Sequence, residues 1–281
     1  NDWGSSSGPT VMSEGGIVLG GVALSGSFNY LPFESEKKEI FQLEEKKLNP
    51  VVVVPGLMGS WKNYQGEWEI DPILHTYDNL LKALRQSGYV DGQSLFVFPY
   101  EWRQSNVLTA ELLKTKINEI KSSCSNDLWD CSKVDVIAHS MGGLVARAYV
   151  QGNSYQNDID QLFFLGTPHE GAPKAFLMWE GGEVEPGFKD FFMHQIFKFE
   201  AMENGFWGEN GLKNYLRERN IASIRELLPI YNYLHDEDYK PENLRYYPDN
   251  YPRNHFLENL NNPTSLNKLS NLKLFNFIGD T

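Results

Sequence analysis

From Asn49 onward, short apolar runs alternate with longer amphipathic stretches. VVVVPG (51–56), SLFVFPY (94–100), KVDVIAHS (133–140), IDQLFFLGTP (159–168) and LKLFNFIGD (272–280) are strand-sized and nearly continuous in apolar residues, as strands covered on both faces should be. Between them, 74–87 sets Leu80, Leu81 and Leu84 on one side of a helix. The stretch 106–122 repeats Leu113, Ile117 and Ile120 at i, i+4 and i+7, and 142–151 predicts a third helix. Strand–helix–strand alternation of these lengths predicts βαβ units and a mostly parallel, doubly wound α/β sheet.

The alternation stops between Ala172 and Pro263. FKDFFMHQIFKF (188–199) is strongly aromatic, GLKNYLRERNIASIRELLP (211–229) reads as one helix, and a Tyr-, Pro- and Asn-rich run leads to Pro252. An insertion of this length exceeds an ordinary connection and predicts a mainly helical cap over one edge of the sheet. The expected organisation is a Gly/Ser-rich appendage over 1–48, a core over 49–171, the cap over 172–263 and a last core strand in 264–281. A flexible tail is the alternative for 1–48, and a separate domain the alternative for the cap.

Composition narrows the functional classes. Twenty-five basic against 37 acidic residues leave a formal charge of −12, which argues against nucleic acid and against electrostatic docking on anionic lipid. No apolar run approaches the roughly 18–20 residues of a membrane-spanning helix. The two cysteines, Cys124 and Cys131 in CSNDLWDC, are close enough to close a short loop. A disulfide there would place the protein outside the cell or in its envelope; two free thiols would fit the cytoplasm. Neither His/Cys/Asp spacing nor the Cys pair forms a metal-ligand pattern, so no metal or cofactor is expected.

The chemistry concentrates at KVDVIAHSMGGLVARAYV (133–150). An apolar strand ends at His139, Ser140 occupies the turn, and a helix begins at once through Gly142 and Gly143. A strand-to-helix turn this tight strains the serine and lifts its hydroxyl above the sheet edge. Ala138 stands two residues before the serine, one methyl larger than the glycine of G-x-S-x-G. The loop after the first strand, PGLMGS (55–60), can bring the Leu57 amide beside that of Met141 as an oxyanion hole, although a plain glycine turn would look the same.

Taken in order, PGLMGS, PYEWR (99–103), AHSMGG (138–143), GTPHEG (166–171) and LLPIYNYL (227–234) resemble serine lipases and esterases of the α/β-hydrolase fold, most closely the lecithin:cholesterol acyltransferase-like branch. The resemblance covers about residues 50–281. It implies a cap between the sixth and seventh strands of the hydrolase sheet, Ser140 as nucleophile, and Leu57 and Met141 as backbone oxyanion donors. The implied reaction is hydrolysis, or transfer to an alcohol, of esters of apolar acyl groups. In the cap, Phe191, Phe192, Ile196 and Phe197 either face substrate or a lipid surface, or simply pack the cap onto the core.

In this fold the triad follows the order serine, acid, histidine. His75 precedes the nucleophile, and His139 flanks it and points the other way. His169 in GTPHEG is expected to line the site, not to act as the base; His194, His235 and His255 lie in the cap. Asp249 with His255 is in the right order but precedes the last strand. Asp280 ends that strand where the acid belongs, and no histidine follows it. The expectation is that the native protein continues past Thr281 and supplies the base from a further segment, with the given chain alone inactive. A non-catalytic hydrolase-like binding protein is the competing reading.

Overall fold

The computed structural model describes residues 47–124, 129–182, 188–219, 221–235, 244–249 and 251–279, with the side chains of 188–193 left aside. The expectations for 1–46, the side chains of Phe191 and Phe192, and Asp280 lie outside the described residues.

Five strands, β1 (Val51–Val54), β4 (Leu95–Val97), β5 (Val134–His139), β6 (Ile159–Leu165) and β7 (Lys273–Phe277), form one parallel sheet in the order β4-β1-β5-β6-β7. They fall within the five apolar runs. Because strand side chains alternate between faces, VVVV is split between two cores. Val52 and Val54 join Val136, Ala138 and the helices α2 (Asn106–Ser123) and α3 (Met141–Gln151) on one face. Val51 and Val53 join Leu95, Tyr77 and Leu81 of α1 (Asp78–Gln86) on the other. Leu113, Ile117 and Ile120 are all buried along α2, as their spacing requires.

A small antiparallel hairpin, β2 (Ser60–Lys62) with β3 (Trp68–Ile70), leaves the core directly after the 55–60 loop. Its three-residue strands and polar turn carry no periodicity long enough to be read from sequence.

After β6 the chain is helical: α4 (Pro173–Phe176), a π-helical turn (Leu177–Gly181), α5 (Phe188–Glu203), α6 (Gly211–Glu218), α7 (Ala222–Glu226), α8 (His255–Asn261) and α9 (Pro263–Asn267) precede β7. The single helix expected over 211–229 is two. At about 100° per residue, Ile221 on a straight helix would face away from Leu212. Parting the helix between α6 and α7 lets Leu212, Leu216, Ile221 and Ile224 all be buried.

Three contacts tie this segment to the sheet's loops. Arg103 stacks on Trp102, 3.8 Å from its ring centroid, and pairs with Glu200 of α5. Glu226 at the end of α7 accepts from Ser105 Oγ (2.6 Å) and the Asn106 amide (2.7 Å), closing the N-terminus of α2 with a carboxylate. Phe197 is fully buried and meets Trp102 edge-on at 5.3 Å, the packing alternative for that side chain; Ile196 is half-buried against the same core. At the far side, β7 is exposed along its length, with Phe275 stacked on Phe163 at 4.6 Å.

The tightest joint is where α3 crosses the end of β1. A Cβ at residue 142 would lie 2.5 Å from the carbonyl oxygens of both Val54 and Pro55. These are backbone atoms that cannot swing aside. Gly142→Ala should therefore destabilise the fold by about 1–3 kcal/mol through overpacking, measured by urea unfolding. An unchanged midpoint would contradict the contact.

Candidate active site

β1 and β5 are neighbours, and the chain leaves them in opposite directions, β1 toward β4 and β5 toward β6. Such a switch point opens a crevice at the C-terminal ends of the strands, and Ser140 stands there, at the end of β5. Its backbone has φ 51° and ψ −125°, a region that costs a non-glycine residue on the order of 1–3 kcal/mol. The strain is held from both sides. Ser140 N–H donates to Leu165 O of β6 (2.9 Å), and Gly143 N–H donates to Ser140 O (3.0 Å). The Ser140 hydroxyl makes no hydrogen bond to another described residue.

The loop after β1 abuts this turn. A Cβ at residue 56 would lie 2.8 Å from Ser140 Cβ, so glycine is needed for the approach. Tyr100 donates from its hydroxyl to Pro55 O (2.8 Å), and Gly56 N–H donates to the Tyr77 hydroxyl oxygen (2.9 Å). Gly59 N–H closes the loop onto Gly56 O (3.0 Å). Leu57 is half-buried and Met141 fully buried. Neither amide donates to another described residue, and the Met141 amide opens a helix whose dipole favours negative charge at that end.

Each described histidine has its own setting. His139 Nδ1 lies 2.8 Å from the Tyr77 hydroxyl, turned toward α1. His75, at φ 54°, is exposed beside Asp78. His194 Nε2 is 3.0 Å from Gly182 O, His235 bridges to Leu244, and His255 pairs with Glu258.

His169 belongs to a buried network that its sequence position did not reveal. Arg147 of α3 is fully buried and, among the described residues, meets no carboxylate. It donates to Gln151 Oε1 (3.0 Å), Leu260 O (2.8 Å), Asn261 Oδ1 (3.0 Å) and His169 O (3.3 Å), and lies 3.2 Å from His169 Nδ1. A guanidinium only donates, so His169 Nδ1 accepts and the ring is neutral. Burial brings Arg147 down to about 10. His169 is lowered by burial first and by Arg147 second, while its hydrogen bond to the Asn276 side chain on β7 acts the other way. One charged residue inside the apolar helix LVARAYV was the available signal for Arg147; nothing in the sequence signals Tyr77. Cys124 and Cys131 are joined by a disulfide with Cα atoms 5.7 Å apart.

A parallel sheet with a strained serine between its strand and helix, at the switch point, defines the α/β-hydrolase fold. Within it, residues 46–180 match the PGAP1-like alpha/beta domain. Phospholipase A(1) LCAT3 of Arabidopsis thaliana is 28% identical over 134 residues, 44% of this chain and 29% of that protein. The GPI inositol-deacylase of Emericella nidulans is 24% identical over 250 residues, 79% of this chain and 21% of its own length. The chain thus spans less than a third of these relatives. Among solved structures, the mature Bacillus licheniformis lipase BlEst2 superposes with a TM-score of 0.46 at 14% identity, covering 83% of this chain and 66% of that one. On the family match and these curated relatives, the resemblance to lipase- and esterase-type hydrolases, the acyltransferase-like branch included, holds.

His169 gives this site a pH signature. The unfolded chain takes up a proton near the ordinary histidine pKa of about 6.5, whereas the folded chain resists it until lower pH. Stability should fall as pH drops through that window and level off below it. His169→Gln should flatten this part of the Tm-against-pH curve; an unchanged slope would contradict a neutral, buried His169.

Proposed function

We propose that the protein is a carboxylic ester hydrolase that removes acyl groups from lipids through an acyl-enzyme at Ser140. The observation that carries this reading is the strained backbone of Ser140 at the switch point, next to two loop and helix-start amides, of Leu57 and Met141, that donate to no other described residue. In the proposed reaction, Ser140 Oγ bonds to the acyl carbonyl carbon while a general base takes the hydroxyl proton. The carbonyl oxygen, now negative, accepts from the Leu57 and Met141 amides. The proton passes to the departing alcohol oxygen as the ester C–O bond breaks. The base then takes a proton from water as the water oxygen adds to the acyl carbon, and returns it to Ser140 Oγ as the Oγ–acyl bond breaks and the acid leaves; an alcohol in place of water would make the reaction an acyl transfer.

The lipid assignment draws on the names of the relatives, a phospholipase and an inositol-deacylase. The segment 172–263 serves in this reading as a cap over the strand ends. Its joints at Glu200 and Glu226 hold it to the β4 loop, and Ile230 N–H donates to Glu170 O (2.9 Å) beside the β6 loop. Phe199, Met202 and Trp207 are its exposed apolar side chains around the end of α5, suited to passing contact with a lipid surface. The disulfide fits an oxidising location, outside the cell or in its envelope.

A fluorophosphonate probe tests the reading in the protein expressed from its complete gene. Stoichiometric labelling mapped to Ser140 and abolished in Ser140→Ala is expected. A folded protein that takes no label would favour the binding-protein alternative.

A further inference from the structure

We propose that Tyr77 is a positioning residue for the oxyanion loop, its hydroxyl clamping the loop after β1 to the nucleophile turn by bridging Gly56 and His139. The inference rests on Ser140 being the nucleophile.

The bridge has a defined polarity. Gly56 N–H can only donate, so the Tyr77 oxygen accepts there at 2.9 Å. Burial raises the Tyr77 pKa, so the hydroxyl keeps its proton, and its remaining partner, at 2.8 Å, is His139 Nδ1. His139 therefore accepts at Nδ1 and carries its own proton on Nε2. The two rings meet edge to face with centroids 5.5 Å apart.

The positions joined matter more than the bonds themselves. Gly56 immediately precedes Leu57, and His139 immediately precedes Ser140. One hydroxyl thus links the residue before the proposed oxyanion donor to the residue before the proposed nucleophile. Contact between Gly56 and Ser140 stops the loop from moving closer; the Tyr77 bridge stops it from lifting away. Together they set the distance between the Leu57 amide and the Ser140 oxygen.

The segment that delivers Tyr77 is itself fastened. Asp71 accepts from Leu74 N–H (2.9 Å) and Thr76 N–H (2.7 Å), and its own N–H donates to Gly59 O (3.0 Å), back in the same loop. Tyr77 otherwise packs with Val51, Val53, Leu81 and Leu95, a setting in which phenylalanine would serve the core equally well. The hydroxyl is what the core does not require.

The test compares wild type, Tyr77→Phe, His139→Asn, His139→Leu, the Tyr77→Phe/His139→Leu double variant and Leu81→Ala. Each is assayed in the complete protein for fluorophosphonate labelling rate, for kcat and KM on a p-nitrophenyl ester, and for Tm. Misplacing a catalytic group by about 1 Å can cost about a hundredfold, so Tyr77→Phe should lower labelling rate and kcat at least about tenfold while KM stays within about twofold. His139→Asn keeps an acceptor near Nδ1 and should retain most of the rate. His139→Leu should match Tyr77→Phe, and the double variant should be no slower than either, as for one shared interaction. Leu81→Ala loosens the same apolar cluster and should lower Tm without this kcat loss. If the wild type labels at Ser140 and Tyr77→Phe labels as fast, the positioning role is overturned alone. If the wild type takes no label, the nucleophile reading falls and this inference with it. Rate losses that follow Tm across all variants, Leu81→Ala included, would also overturn it.

Discussion

The end of β1 and the first turn of α3 meet backbone to backbone, and the site is organised around that contact. Because glycine at 142 lets α3 sit directly on the carbonyls of Val54 and Pro55, the helix can begin with a single residue between it and the end of β5. The chain must then reverse within Ser140, which is why that residue takes a positive φ. The same proximity brings the β1 loop against the serine. The strain at Ser140 and the nearness of two amides that donate to no other described residue are two consequences of one steric fact. The pairing of β1 with β5 through four consecutive residues holds the two ends in register, so the local strain is carried by an element that cannot easily relax.

Around this joint the polar groups fix positions largely through neutral partners. Arg147 distributes its donors over neutral acceptors on α3, α8 and the β6 loop. Tyr100 donates its hydroxyl proton to Pro55 O, and the Tyr77 hydroxyl joins Gly56 N–H to His139 Nδ1. In a buried setting such bonds are costly to leave half made, so the loops that carry His169 and Leu57 are held by groups with few alternative partners. The Met141 helix end adds its own positive potential beside Ser140.

The sheet was legible because its strands are buried on both faces and so appear as unbroken apolar runs. The helices α1, α2 and α3 were legible through their repeats, and the serine turn through the small residues that a strand-to-helix reversal demands. What escaped the sequence was short or long-range. The β2–β3 hairpin has too few residues to show a period. The break between α6 and α7 answers to a surface that Ile221 must reach, which helical repeats cannot reveal. Tyr77 and His139 are 62 residues apart, and their meeting depends on the turn at Asp71 and the positive φ at His75. Arg147 lay within the quoted motif yet reads as an ordinary helical charge until its burial is known. The partners of Ser140 within the proposed triad were not legible as a set, since each described histidine is bound into local structure.

The most direct test of the central claim is a crystal structure of the complete protein inhibited by an alkyl phosphonate. The account predicts phosphorus bonded to Ser140 Oγ, with the phosphoryl oxygen about 2.7–3.1 Å from both the Leu57 and Met141 amide nitrogens, the range expected of oxyanion donors. A phosphonate on another residue, or on Ser140 with its oxygen turned away from both amides, would contradict it.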